Sequence, residues 1–183
     1  SGENEIKEVT ILGRRLKWTP DGLEYEADPK HRKDVLEAEG LDEFSKSTKG
    51  PATKVDHEKT IEMEELLNRA EAKEFRGLAA KLNYLGLDRC DIQYATKEVS
   101  RNMSKPTVGG KQLIKKIARY LLRAPRLVWK YGEAHGDPKI DVEVDSDWAG
   151  ALDRTSTSGG IMKIDGVGVK HWSRTQRSQA PSS

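Results

Sequence analysis

Residues Ile140 to Gly160 read IDVEVDSDWAGALDRTSTSGG, and this stretch decides how the chain is understood. Ile140, Val142 and Val144 alternate with Asp141, Glu143, Asp145 and Asp147. Period-two alternation predicts a half-buried strand, one face apolar and the other lined with carboxylates. Side chains two residues apart point the same way, so Asp145 and Asp147 are neighbours on one face. Like charges at that spacing repel unless a cation or a basic partner neutralises them. Two readings fit the pattern. A charged edge protects a sheet against aggregation; alternatively, carboxylates gathered at a strand end are the oxygen ligands that Mg²⁺ prefers in two-metal nucleases.

Working outward, the C-terminal side carries Asp165-Gly166 between two further apolar runs, Gly160 to Ile164 and Val167 to Trp172. That dipeptide predicts a hairpin, giving three antiparallel strands in all. On the N-terminal side, Gly132 to Lys139 (GEAHGDPK) is turn-rich and predicts the main division of the chain.

Before that division, Lys111 to Ala124 (KQLIKKIARYLLRA) is the clearest predicted helix. Leu113, Ile114, Ile117 and Leu121 share one side, Lys115, Lys116, Arg119 and Arg123 the other, and Pro125 stops it. From Arg101 to Lys130 there are many basic residues and no acidic one, whereas the first hundred residues are acidic by comparison. A one-signed face of this kind is either solvated surface or a track for a polyanion backbone. The candidates for nucleic-acid binding are Lys111, Lys115, Lys116, Arg119, Arg123 and Arg126. Trp129 and Tyr131, interleaved with Arg126 and Lys130, fit base or sugar stacking and fit a core equally well.

The remaining chain reads as scaffold. Val9, Ile11, Leu16 and Trp18 mark a first strand, Thr19-Pro20-Asp21-Gly22 a turn, and Leu23 to Ala27 a second strand. Asp28 is a predicted helix cap with Pro29 in the first turn and Gly40 at the end. Ser45 to Thr60 is polar and reads as a linker or surface loop. Glu62 to Leu87 predicts a helix through Leu67, Ala70, Leu78, Leu82 and Leu85, and Asp91 a cap for the next one.

Composition sets limits. The chain has 183 residues, 34% charged and only 35% hydrophobic, with net charge +2. Its core is therefore expected to be modest or shared with sequence outside this stretch. Cys90 is the only cysteine, so no intrachain disulfide can form and no Cys/His cluster suggests zinc. No apolar run approaches the length of a membrane span, and SGENEIKEV has no signal-peptide character. The expectation is an intracellular protein, cytoplasmic or nuclear. His171 is a candidate acid or base, and a strand histidine is also commonly structural. Ser156, Thr157 and Ser158 have no neighbouring base, which leaves a serine nucleophile unsupported.

The blocks D-S-D-W-A-G, S-T-S-G-G and K-H-W-S-R-T-Q resemble the opening of the RNase H domain of copia-type LTR retrotransposon Pol polyproteins. ILGRRLKW followed by D-G-L-E-Y-E resembles the segment after the polymerase palm. FRGLAAKLNYLGLDRCDIQYATKEVSRNMSKPT and IKKIARYL resemble the thumb and connection. The likeness runs in the family's order from Val9 to Gln176. It implies an α+β fold: an N-terminal β-hairpin and helices of thumb and connection type, then an incomplete RNase H-like three-stranded antiparallel sheet. The implied divisions are 1–44 for the palm-end or thumb-like hairpin and helix, 45–60 for the linker, 61–131 for the helical connection-like region, and 138–183 for the truncated RNase H-like domain.

The resemblance gives Asp145 the role of first catalytic and metal-binding carboxylate, here vestigial, with Asp147 as a weaker metal ligand. Mg²⁺ is the cofactor it implies for the parent enzyme, an RNA-directed DNA polymerase and RNA–DNA hybrid ribonuclease. The departures count too. No Asp-Asp pair of the polymerase signature exists here, and the usual Arg-Pro-Asp reads Asp88-Arg89-Cys90-Asp91. The family's Glu-bearing helix and later aspartates would follow the last block. The expectation is a catalytically incomplete fragment with no tightly held metal, at most binding an RNA–DNA hybrid or other nucleic acid through its backbone. The alternative is a retrotransposon-derived structural or interaction subunit of a larger complex.

Overall fold

A computed structural model describes residues 7–51, 63–132, 137–147 and 155–179. The protein is α+β, with four described helices and two antiparallel sheets. The strands are β1 (Glu8–Ile11), β2 (Arg14–Thr19), β3 (Gly22–Glu26), β4 (Val128–Tyr131), β5 (Ile140–Ser146), β6 (Thr155–Ile164) and β7 (Val167–Gln179). The helices are α1 (Pro29–Ala38), α2 (Arg69–Gly86), α3 (Cys90–Arg101) and α4 (Val108–Arg123).

The chain divides into two compact units that do not follow chain order. One joins residues 1–9 and 16–25 to residues 129–183; the other takes residues 10–15 and 26–128. The second unit holds the buried core. Val35 and Leu36 of α1, Phe75, Leu78, Leu82 and Leu85 of α2, Ile92 and Val99 of α3, and Ile114, Ile117 and Leu121 of α4 form one apolar cluster. Helices α2, α3 and α4 each contribute a stripe at three- and four-residue spacing, which is why their periodicity was readable in the sequence, whereas α1 adds the adjacent pair Val35 and Leu36.

Local chemistry sets the helix ends. The Asp28 carboxylate accepts from the Lys30 N–H at 2.8 Å, capping α1 with Pro29 in its first turn. Gly40, at φ +62°, ends it: the Gly40 N–H donates to Glu37 O and the Leu41 N–H to Leu36 O. Helix α2 begins at Arg69, because the Asn68 side chain accepts from both Ala70 and Glu71 N–H and fixes the start there; the start expected at Glu62 lies outside the described residues. Leu66 instead bridges to Thr107.

Asp91 does not cap α3. It lies in the first turn, where its carboxylate takes two hydrogen bonds from Arg89 and one from the Tyr120 hydroxyl. Helix α4 starts earlier than its apolar stripe suggests, at Val108, with the Thr107 hydroxyl accepting from the Gly110 N–H. Its last carbonyls are held by two guanidiniums: Arg32 donates to Leu121 O and Arg89 to Ala124 O.

The sheets hold three corrections. The first predicted strand is two, because Leu12 and Gly13 both adopt positive φ and reverse the chain between β1 and β2. Strand β4 forms where stacking aromatics were weighed. It joins β3 at the end of a four-stranded sheet ordered β1-β2-β3-β4. The β6–β7 hairpin turns at Asp165-Gly166 as expected, both at positive φ, but its strands extend back to Thr155 and on to Gln179. The run S-T-S-G-G lies within β6.

Candidate nucleic-acid interface and the acidic strand

Helix α4 places Lys111, Lys115, Arg119 and Arg123 at successive four-residue steps, one stripe beside the core-facing side. The stripe lacks acids only in its own sequence neighbourhood. Lys111 reaches Glu71 of α2 at 3.0 Å, and that hydrogen bond raises the Lys111 pKa and lowers that of Glu71. Glu39, the residue after α1, is half-buried. Burial pushes its pKa up, while Lys115, Lys111 and Arg119 draw it back in part. Arg119 keeps its Nε enclosed with no hydrogen-bond partner, and its carbonyl accepts from the Thr48 N–H at 3.4 Å.

Arg126, the last candidate, makes a two-pronged pair with Glu26 at 2.7 Å on each prong. Lys116 and Arg123 have no carboxylate partner among the described residues. The six candidates therefore differ: Lys111 and Arg126 each pair with a carboxylate, Lys115 and Arg119 share the field of Glu39, and Lys116 and Arg123 meet no carboxylate among the described residues. The acids that divide them, Glu71, Glu39 and Glu26, lie outside the acid-free run from Arg101 to Lys130.

One prediction follows from Glu39. Its folded-state pKa lies above the ordinary carboxylate value, so deprotonation at neutral pH costs stability. The cost is present above the folded pKa and disappears as pH falls below the unfolded one. Glu39→Gln is expected to raise the melting temperature at pH 7, with the gap to the parent closing towards pH 4. Melts at the two pH values check it.

On the acidic strand, β5 pairs with β6 in antiparallel register, Asp145 opposite Gly159 and Glu143 opposite Ile161. The burial differs from the sequence expectation. Ile140, Val142 and Val144 are 63%, 52% and 71% exposed, so the apolar face of β5 is not covered by any described residue. The packing against β4 is on the opposite face, where Trp129 stacks on His171 at 6.0 Å and abuts Gly168. Trp129 is thus committed to packing, and His171 faces an indole.

The carboxylates are dispersed in their contacts. Asp141 lies 3.2 Å from Lys139, Glu143 is 2.6 Å from Lys163, and Asp145 accepts from the Ser146 N–H at 2.8 Å. Asp147 accepts from the Thr157 N–H across the strand pair. Among the described residues, no three His, Cys, Asp or Glu side chains gather where a metal ion could sit. Two exposed carboxylates on one strand do not supply the ligands of a two-metal centre. Residues 148–154 of the D-S-D-W-A-G block and the segment after it lie outside the described residues.

Comparison with known proteins finds relatives of this chain. Over 113 residues the chain is 34% identical to the retrovirus-related Pol polyprotein from transposon RE1 of Arabidopsis thaliana, and 31% identical to that from transposon RE2. The chain is a relative of copia-type retrotransposon Pol polyproteins. Each match covers 60% of this chain and 8% of the Pol polyprotein. An uncharacterised mitochondrial protein of the same plant is 28% identical over 169 residues, which is 89% of this chain and 65% of that protein. No family model and no solved structure matches this Pol relative. No described helix is long and apolar enough to cross a membrane.

Proposed function

We propose that this chain is a connection and RNase H-start segment of a retrotransposon Pol protein whose α4 stripe holds the sugar–phosphate backbone of an RNA–DNA hybrid without cleaving it. The observation that carries the reading is the pair Lys116 and Arg123, cations on α4 without a carboxylate partner among the described residues, beside Lys115 and Arg119. The Pol relatives and the β5-β6-β7 meander support the RNase H-like part. Cleavage is left out on chemical grounds, since Asp145 and Asp147 of one strand cannot by themselves hold both ions of a two-metal centre.

Binding of a labelled hybrid, followed by anisotropy against salt, tests it. Affinity is expected to fall steeply with salt, and Lys116→Glu with Arg123→Glu is expected to reduce the slope of log K against log salt by about 2. Arg126→Gln is expected to leave the slope unchanged, since Glu26 already occupies that guanidinium. A flat salt response sinks the proposal. Hybrid cleavage with Mg²⁺ that is lost in Asp145→Asn would overturn the non-catalytic part.

A second reading has an observation of its own. Glu71 and Glu39 show the α4 stripe already accommodating acidic protein surface. On that reading the chain is an interaction subunit, and capture of the native protein would bring down a defined protein complex that resists nuclease treatment.

A further inference from the structure

Strand β5 has one described neighbour, β6. The hydrogen bonds at its two ends identify which residues face that neighbour. Asp165 N–H donates to Lys139 O, and Asp147 N–H donates to Thr157 O. In an antiparallel ladder every second residue turns its N–H and C=O to the partner. Asp141, Glu143 and Asp145 therefore bond to β6, and the backbone groups of Ile140, Val142, Val144 and Ser146 point away from it. No described strand meets them.

The same residues carry the exposed apolar side chains. That row continues across the sheet, with Ile164 opposite Ile140 and Met162 opposite Val142. The Trp172 indole lies over Gly160 beside Val144: a Cβ on Gly160 would come 2.3 Å from Cζ2. The other face of β5 is acidic.

We infer that the outer edge of β5 takes an extended peptide strand whose side chains alternate between apolar and basic. Main-chain bonds to Val142 and Val144 would supply affinity, and the two faces would supply selectivity. The apolar residues of the incoming strand continue the Ile140–Val142–Val144 row. Its basic residues stand beside Asp141, Glu143 and Asp145, of which Asp145 has no cation of its own among the described residues. A second copy of β5 is a poor occupant. Antiparallel self-pairing centred on Glu143 sets Glu143 against its counterpart and Asp141 against Asp145, and like charges directly opposite destabilise a strand pair.

The test uses the full chain and a labelled Lys-Val-Lys-Val-Lys-Val-Lys peptide. Saturable binding is expected, with none for the Glu-Val counterpart. N-methylation of the peptide along one edge is expected to abolish binding while its charge is unchanged. Val144→Pro removes an outward N–H and leaves the β6 ladder intact, so the protein should still fold; circular dichroism verifies this. That variant and Asp145→Lys are each expected to weaken binding about tenfold. Absence of saturable binding, or binding indifferent to Val144→Pro, overturns the inference. So does concentration-dependent self-association abolished by Val144→Pro, which would make a second copy the occupant.

Discussion

Replacing Arg89 with alanine is expected to cost about 3–5 kcal/mol of stability, the range for removing one partner of a buried ion pair. Arg89 is 2% exposed. It donates to Asp91 at 2.9 and 2.6 Å and to the Ala124 carbonyl at 2.8 Å. One side chain thus neutralises an acid in the first turn of α3 and satisfies the end of α4. Burial alone would raise the Asp91 pKa, yet the Arg89 bonds and charge, with the Tyr120 hydroxyl, hold it below the ordinary range.

A depressed carboxylate stabilises the fold above its unfolded pKa, and that contribution is lost as pH falls through the folded one. Without Arg89 the burial remains and the compensation goes. The deficit of the variant is therefore expected to be largest near neutral pH and to shrink in acid, where Asp91 is protonated in both proteins. Urea titrations at pH 7 and pH 3 measure it. Equal deficits at both would assign the loss to the Ala124 carbonyl and packing instead.

Gly22→Ala is expected to be comparably damaging for a different reason. Gly22 opens β3 at φ +125°, and a Cβ there would stand 2.0 Å from the Tyr131 carbonyl oxygen and 2.9 Å from Gly132 Cα. The obstacle is backbone and cannot rotate aside. Conformational strain and overpacking together amount to about 2–5 kcal/mol. Gly166 provides the comparison. It also has positive φ, +79°, but nothing lies within 4 Å of its added Cβ. Gly166→Ala is expected to cost only the strain, about 1 kcal/mol. Thermal melts of the two variants should separate clearly, and near-equal losses would mean that the β3–β4 junction relaxes.

The sequence carried the longer helices well because Leu82, Val99 and Ile117 sit at core positions of regular stripes. It misplaced their starts where a single polar side chain decides the matter: Asn68 trims α2, and Thr107 lengthens α4 past two glycines. The sheets were harder. Leu12-Gly13 lacks the Asn or Asp that usually announces a tight turn, and Val128–Tyr131 is too short to show alternation. Strand β5 was legible as a strand, but alternation does not tell which face is covered. The candidate interface was legible as a basic stripe. Its division into cations that meet a carboxylate and cations that meet none among the described residues was not, because Glu71, Glu39 and Glu26 approach only through tertiary structure.

The pairing of β3 with β4 has a consequence for biosynthesis. When β3 leaves the ribosome its partner is still about a hundred residues from being translated, and closing so long a loop is slow. The helical unit, encoded almost wholly in between, has its whole apolar cluster in hand before β4 emerges. Translation should therefore yield a folded helical insert first, with β1, β2 and β3 waiting as an exposed two-sided ribbon until the later strands arrive.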